Sequence, residues 1–286
     1  MSEYETILYE VPAPGIARIV QNRPKARNAQ DFQLTYDLNA GFDRAAQDKE
    51  IKVIILAGAD PDFSAGHDLR SFGTKKLGED YPVVGTWGGF DQKAAQGLIA
   101  VENEIYFEMT RRWRNIPKPT IAQVQGRCIA GGLMLAWACD IIVASEDAKF
   151  RDPVVMMGVC GVEYFAHPWE LGPRKAKELL FTADWWTARE AHSLGMVNQV
   201  VPREELGEFT LDMAKKIAEK PMFALKMTKQ AVNQALDAMG QNTAMDMAFS
   251  LHELCHSQNE QVHGLPIDPG GIAQFGRDKS KSTSTK

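Results

Sequence analysis

Residues 123–140 read QVQGRCIAGGLMLAWACD, and this stretch decides the fold. It follows the breaker Pro117-Lys118-Pro119 and precedes an apolar run, Ile141-Ile142-Val143. This order predicts a strand, a glycine turn, a buried helix and a second strand. The first N–H groups of a helix have no partner within it, and Gly131 and Gly132 carry no side chain that would block an approaching oxygen atom. The turn is therefore either a donor site for a carbonyl oxygen or simply a place where a helix packs closely on a sheet.

The bulk composition is that of a globular protein. The chain has 286 residues, of which 44% are hydrophobic and 24% charged, with a formal net charge of −5. A chain of this length buries about 75% of its unfolded surface, so a sizeable core can form. The mild negative charge argues against nucleic-acid binding, which needs a clustered basic face. No uninterrupted apolar run is long enough to span a bilayer, so we expect no membrane partner.

Cysteine usage points to a reducing compartment. Cys128, Cys139, Cys160 and Cys255 lie far apart and form no C-x-x-C pair. We interpret them as reduced thiols rather than as disulfides or a zinc site. The first residues are acidic and lack the apolar region of a signal peptide. A cytoplasmic location is therefore expected.

The order of predicted elements indicates an α/β core followed by helices. Strands and helices alternate in the first half, and from Glu204 onward the pattern is helical only. The predicted strands are 16–20, 53–57 and 196–201, and the predicted helices include about 31–47, about 98–115 and one opening at 162–165.

Three regions follow from this order. Residues 1–205 are expected to form the α/β core and residues 206–270 a helical C-terminal part. Residues 271–286 are poor in apolar side chains and are expected to be a disordered tail. Within the core, residues 71–97 show weak periodicity, and we interpret them as a mobile loop or lid.

Three segments together resemble the crotonase superfamily, the enoyl-CoA hydratase/isomerase family. They are 22–29 (NRPKARNA), 63–69 (FSAGHDL) and 125–141, which runs from Gln-Gly through the glycine turn to Ala-Cys-Asp-Ile. Residues 181–198 resemble the family as well, and the similarity covers about residues 5–235. The resemblance implies a spiral of ββα units with a helical C-terminal part that builds homotrimers, often paired into hexamers. It also implies an acyl-CoA thioester ligand, with coenzyme A as part of the substrate rather than a separate cofactor.

The same resemblance implies an oxyanion hole. In this family two backbone N–H groups hold the thioester oxygen, and the matched positions are His67 and Gly131. Such fixed donors suit reactions through a thioester enolate, because they stabilise charge that appears only during the reaction. We expect the imidazole of His67 to point at solvent or at coenzyme A. Lys25 matches a basic contact to the phosphates, or else is an ordinary surface lysine. The residues expected to bind substrate are Lys25, Ala26, Ala65, His67, Asp68, Leu69, Arg70 and Gly131.

The sequence departs from the family at the acid–base positions. The hydratases it resembles use two glutamates, and the matched positions here are Met134 and Val154, which we expect to line an apolar pocket. Glu163, in the loop that follows, is then the candidate general acid–base group. Its alternative reading is a glutamate at the start of a helix, stabilised by the helix dipole. Asp152 is a second candidate, or a turn residue that pairs with Arg151.

Two functional hypotheses remain from the sequence. The first is an acyl-CoA enzyme with Glu163 as its main acid–base group, in which isomerisation by one shuttling base is the simplest fit, while hydration, hydrolysis and decarboxylation stay open. The second is a catalytically weak subunit that binds acyl-CoA or serves assembly. The two donor turns favour the enzyme. We assign no metal-binding spacing to His252, His256 and His263, and therefore predict no metal site.

Overall fold

The computed structural model describes residues 4–70 and 77–271, and its centre is a six-stranded sheet. The sheet has the order β1-β2-β3-β4-β6-β9, in which β1 and β2 are antiparallel and the other neighbours parallel. A smaller sheet has the order β5-β7-β8. The strands are β1 Ile7–Ala13, β2 Ile16–Gln21, β3 Val53–Gly58, β4 Thr120–Val124, β5 Arg127–Ile129, β6 Ile141–Ser145, β7 Lys149–Arg151, β8 Trp186–Thr187 and β9 Gln199–Val201.

Helices connect the strands and then form the C-terminal part. They are α1 Phe32–Gln47, α2 Ala95–Glu102, α3 Met109–Arg114, α4 Gly131–Trp137, α5 His167–Leu171, α6 Pro173–Thr182, α7 Ala188–Ser193, α8 Leu206–Ala218, α9 Met222–Ala238 and α10 Gln241–His263. A π-helical segment, Asn103–Glu108, joins α2 to α3. Among these helices of the described residues, none combines the length and apolar character of a membrane span.

The mixed α/β architecture with helices at the end is confirmed. All six residues of β3 are buried, as a continuous apolar run predicts for a strand covered on both faces. Asp31 caps α1, since its side chain accepts a hydrogen bond of 2.9 Å from the N–H of Leu34. The helix predicted over 98–115 is the continuous α2, π-helical and α3 run.

The predicted start of α5 is wrong, because this helix begins later than the sequence pattern indicates. The helix expected to open at 162–165 begins at His167. Pro168 lies in its first turn, where its missing N–H costs nothing, so the helix starts there. The N–H of Val162 is instead held by the side chain of Asp152 at 3.1 Å. Glu163 therefore lies in the loop before α5.

Parts of two predicted segments fall outside the described residues. These are 71–76 of the predicted lid and 272–286 of the predicted tail. The described remainder of the loop is anchored to the helix below it. Glu104 accepts hydrogen bonds from the N–H groups of Val84, at 2.6 Å, and Gly85, at 2.8 Å.

Backbone pairing brings two loop segments side by side. The segment after β3 runs parallel to β5, and Ser64 accepts from the N–H of Ile129 at 3.0 Å and donates its own N–H to Arg127 at 3.0 Å. On its other edge, the same segment pairs with Gln30. These bonds place residues 66 and 67 next to the turn that opens α4.

The last helix packs over the same region. Phe249 of α10 stacks on Phe107 of the π-helical segment, with ring centroids 4.7 Å apart and planes at 2°. Residues three and seven positions further along α10, His252 and His256, lie on the same face and are both buried. This packing carries two histidines to the region where His67 lies.

Candidate active site

The glycine turn lies directly against His67. A Cβ at Gly131 would lie 2.4 Å from two atoms of the His67 ring, and one at Gly66 would lie 3.3 Å from the nitrogen of Gly131. Within the described residues, neither the N–H of His67 nor that of Gly131 has an acceptor. Both N–H groups are therefore available to an oxygen atom, and their role as an oxyanion hole stays a prediction. Gly132 serves close packing, because a Cβ there would lie 2.8 Å from the carbonyl oxygen of Ser64.

The imidazole of His67 points into the molecule. Its ring stacks on Tyr106, with centroids 3.6 Å apart and planes at 8°, and its side chain is only 15% exposed. The coenzyme A alternative stays a prediction, but the expectation that this side chain faces solvent was wrong. The physical reason is that the bare turn at Gly131 leaves room for the ring, and the flat face of Tyr106 covers it.

Glu163 is a buried carboxylate beside His67. Its side chain is 3% exposed, and its Oε1 lies 3.4 Å from Nδ1 of His67 and 3.9 Å from Nε2 of His252. Its Oε2 is buried without a hydrogen-bond partner among the described residues. An unpaired buried carboxylate oxygen is costly unless another group satisfies it. The helix-start reading of Glu163 was wrong, since α5 begins four residues later.

A cavity of about 380 Å³ contains these groups. Its polar lining includes His67 and Glu163, and its apolar lining includes Val154, as predicted, together with Val159 and Val162. This mixture of many apolar walls and a few polar groups is typical of a small-molecule site.

Met134 does not belong to the lining. It is fully buried in α4, a helix whose seven residues are all buried, and its side chain fills the hydrophobic core. Its assignment to the pocket was therefore wrong.

Asp152 has a supporting place in the structure. Its Oδ1 accepts from the N–H of Val154 at 3.2 Å and its Oδ2 from that of Val162 at 3.1 Å. Oδ2 also lies 2.9 Å from Nε2 of His167, and both side chains are 1% exposed. Asp152 is not part of the cavity lining, so it holds the loop that carries Glu163 rather than facing substrate.

The predicted coenzyme A contacts fall into two groups. His67, Asp68 and Leu69 line the cavity, and Leu69 is 54% exposed at its edge. Lys25 is exposed on a short turn, Pro24–Ala26, outside the lining.

The polar members of this group are tied to the protein. Asp68 is buried and paired with Arg23 at 3.1 Å and with Arg70 at 3.0 Å. Burial opposes ionisation, but hydrogen bonds from Arg70 and Arg23 hold the pKa of Asp68 below its usual value. The N–H of Ala65 is donated to the carbonyl of Arg27 at 2.9 Å. These contacts make Asp68 and Ala65 part of the framework of the site.

Three cavity residues were missed by the sequence analysis: Glu102, His252 and His256. Their ligand atoms all lie within 4.8 Å of one another. Residues 252–256 read HELCH, which is the H-E-x-x-H spacing, so the statement that these histidines lack a metal-binding spacing was wrong. The motif was a visible signal for two of the three residues.

Ionisation in this cluster is strongly shifted. Burial disfavours the charged form of Glu102, yet hydrogen bonds from His252 and His256 hold its pKa far below the usual range. Burial opposes protonation of His252 as well, but Glu102 and Glu163 raise its pKa to about 10. Burial and the neighbouring Glu102 raise the pKa of Glu253 to about 9. The negative charge of Glu102 is therefore balanced by a positive charge that its neighbours favour on His252.

Comparison with known proteins fixes the family. The family model for enoyl-CoA hydratase/isomerase matches residues 13–86 and 87–267. The chain belongs to the enoyl-CoA hydratase/isomerase family. This membership confirms the resemblance drawn from the three sequence segments.

Relatives within the enoyl-CoA hydratase/isomerase family are similar over almost the whole chain. A Mycobacterium tuberculosis protein named "Putative enoyl-CoA hydratase EchA13" is 47% identical over 280 residues, covering 94% of this chain and 86% of its own length. The crystal structure of a probable enoyl-CoA hydratase from Mycobacterium smegmatis has a TM-score of 0.83 and 48% identity, covering 93% of this chain and 99% of its own. That of an enoyl-CoA hydratase/isomerase from Xanthobacter autotrophicus has a TM-score of 0.80 and 32% identity, covering 97% and 94%. The chain is thus an acyl-CoA enzyme related to enoyl-CoA hydratase/isomerase.

Proposed function

We propose that this enzyme moves protons on an enoyl-CoA thioester, with Glu163 as its general acid–base group. The amides of His67 and Gly131 would hold the thioester oxygen. The observation that carries this proposal is the unpartnered Oε2 of Glu163, buried in the cavity that His67 also lines. A buried carboxylate with one unsatisfied oxygen is able to accept a proton from a bound substrate.

The favoured reaction is isomerisation of a 3-enoyl-CoA to a 2-enoyl-CoA. Oε2 of Glu163 would remove a proton from C2, and the electrons would move onto the thioester oxygen, where the two amides stabilise the enolate. The same carboxyl group would return the proton to C4, and the double bond would then be conjugated with the thioester. One shuttling base completes this cycle. His67 Nδ1, at 3.4 Å from Oε1, would keep the other oxygen turned towards substrate.

Hydration of a 2-enoyl-CoA is the second candidate. It needs one group to take a proton from water and one to protonate C2. Glu163 and His67 lie close enough to share these tasks, and several relatives are named hydratases. The positions matched to the usual glutamates, Met134 and Val154, supply no proton carrier.

One spectrophotometric experiment separates the two reactions. Isomerisation of 3-enoyl-CoA creates the absorbance of the conjugated thioester, whereas hydration of 2-enoyl-CoA removes it. Glu163→Gln is expected to lower kcat by at least about 100-fold with little change in ligand affinity. Glu178→Gln, on the exposed face of α6, is the matched control and should behave as the wild type. Wild-type kcat in Glu163→Gln, or acyl-CoA binding without any turnover by the wild type, would refute the proposal.

We also propose that the enzyme forms homotrimers or hexamers through its C-terminal helices. Large apolar side chains are exposed on α9 and α10 to an extent unusual for a free surface. They are Phe223, Met227, Val232, Met247, Leu251, Leu254 and Val262. Sedimentation of the wild type should give a mass of three or six chains, and Phe223→Asp should lower it. Phe181→Asp, which changes an equally exposed side chain on α6, is the control. A monomeric wild type would contradict the proposal.

A further inference from the structure

We propose that Glu102, His252 and His256 form a binding site for a divalent transition-metal ion, with Zn²⁺ as the best match. Two imidazoles and one carboxylate are a ligand set typical of catalytic zinc, and the same set holds non-haem iron. The three residues come from two helices, and all three are buried. The binding proposal does not depend on which reaction the enzyme catalyses.

The distances between the ligand atoms fit one metal ion. Nε2 of His252 lies 2.8 Å from Nε2 of His256 and 3.1 Å from Oε2 of Glu102, and the third side of the triangle is 3.5 Å. A metal with ligands at about 2.1 Å separates neighbouring ligand atoms by about 3.0 Å in an octahedron and about 3.4 Å in a tetrahedron. The triangle therefore has the size of one face of a coordination polyhedron.

Both histidines are oriented as metal ligands are. Nδ1 of His252 lies 2.7 Å from the carbonyl oxygen of Gly161, and Nδ1 of His256 lies 2.5 Å from that of Pro266. A carbonyl oxygen only accepts, so each Nδ1 carries the proton and each Nε2 is left to act as a ligand. Without a cation, two neutral rings would direct their lone pairs at each other across 2.8 Å. That arrangement requires a cation between them, which is either a shared proton or a metal ion.

The helices explain why the site can form here. His252 and His256 are one turn apart on α10, so their side chains leave the same face of the helix. Glu102 is the last residue of α2, where the chain passes into the π-helical segment. Such π-helical turns are frequent at functional sites because the extra residue redirects side chains.

A bound metal ion would face the acyl-CoA cavity. Glu102, His252 and His256 line the cavity that also contains His67 and Glu163. Three protein ligands leave coordination positions for water or a substrate oxygen, and a bound metal ion lowers the pKa of coordinated water. Glu253 lies between the two histidines in sequence but lines a different depression, together with Phe249 and Leu254. The peptidase role of the H-E-x-x-H glutamate therefore does not follow.

Metal binding is tested directly on the full-length enzyme. Protein treated with EDTA and desalted is titrated with ZnCl₂ by calorimetry, and the bound metal is counted by mass spectrometry. We expect one Zn²⁺ per chain for the wild type. Glu102→Gln and His256→Gln should each weaken binding by at least about 100-fold. His263→Gln, which changes a histidine at the end of the same helix, is the matched control and should bind as the wild type does.

Two results of the binding measurements would overturn the proposal. One is the absence of saturable Zn²⁺ binding by the folded wild type, which would leave the shared proton as the cation. The other is equal affinity of the wild type and the two ligand variants. X-ray absorption of the Zn²⁺-loaded wild type needs no variant. Two imidazoles and only nitrogen and oxygen neighbours are expected, whereas sulfur ligation by Cys160 or Cys255 would refute the assignment. None of these readouts requires turnover.

Discussion

Replacing Gly131 by alanine is the sharpest test of the two-amide site. The added Cβ would lie 2.4 Å from Cδ2 and Nε2 of His67, whereas ordinary contacts between such atoms are about 3.5–4.0 Å. The ring would have to move by about 1 Å or more. Tyr106 already covers one face of this ring, with centroids 3.6 Å apart, which restricts the movement. The variant must therefore displace either the imidazole or the backbone of residue 67.

The size of the effect follows from the donors involved. Misplacing one of two donors to an oxyanion costs about 3 kcal/mol, which corresponds to a fall of about 10² to 10³ in kcat. Overpacking costs about 1–3 kcal/mol of stability, or a fall in Tm of roughly 2–12 °C for a chain near this size. We therefore expect a large fall in kcat for this variant but little loss of folded protein at 25 °C.

The measurement is steady-state kinetics with an enoyl-CoA, combined with thermal melting. Gly207→Ala is the matched control, because a Cβ at that position of α8 meets nothing within 4 Å. It should keep full activity and gain about 0.5–1 kcal/mol of stability. If Gly131→Ala keeps kcat within about threefold of the wild type while folded, residue 131 does not serve the transition state, and the oxyanion-hole reasoning fails.

Three further changes have distinct expected outcomes. Tyr106→Phe keeps an aromatic ring stacked on His67, so kcat should stay within about threefold of the wild type. Tyr106→Leu removes the stacking and should lower kcat by about tenfold or more. Equal kcat values for the two variants in steady-state assays would contradict this expectation. Asp152→Asn leaves one side-chain oxygen where two now accept the N–H groups of Val154 and Val162. Because a buried donor without a partner costs about 1–3 kcal/mol, the Tm of this variant followed by circular dichroism should fall by about 2 °C or more, and an unchanged Tm would contradict this. Cys128 is fully buried, and burial raises the pKa of its thiol well above the usual value. Iodoacetamide should therefore alkylate Cys128 only in unfolded protein. Fast labelling of the native protein, measured by peptide mass spectrometry, would contradict the burial of this residue.

Local patterns sufficed for much of the fold. The apolar run of β3 and the Asp31 cap of α1 are signals that act over a few residues, and both elements form where the pattern places them. The start of α5 was predicted too early, because a residue outside the local sequence window helps to determine where this helix begins. Asp152 holds the N–H of Val162 from ten residues away and keeps the chain out of helix. A window of a few residues does not contain that contact.

Side-chain directions in the site could not be inferred in the same way. Every residue of α4 is buried, so its sequence has no polar face from which to tell whether Met134 faces the cavity or the core. The direction of the His67 ring depends on Tyr106, which reaches it only after α2 and the π-helical segment have folded over the core. The family segments indicate the backbone positions and say little about such contacts.

The cluster of Glu102, His252 and His256 also depends on contacts that a local sequence pattern does not contain. His252 and Glu102 are 150 positions apart in the chain, and their contact exists only because α10 packs on α2. The H-E-x-x-H motif alone is a weak signal, since two histidines one turn apart need a third ligand to hold an ion. A single sequence does not show which of many glutamates that third ligand is.

In the proposed mechanism, different parts of the structure stabilise charge and transfer protons. The two amides belong to segments locked together by the pairing of Ser64 with β5, so their position is a property of the sheet framework. Glu163 belongs to the loop before α5, and Asp152 positions this loop through its contacts with Val162 and His167. Different side chains can therefore perform proton transfer beside one unchanged oxyanion hole. Under the proposed mechanism, this separation accounts for an acyl-CoA site in which positions 134 and 154 are apolar, because the enolate would be stabilised by backbone groups that neither position provides.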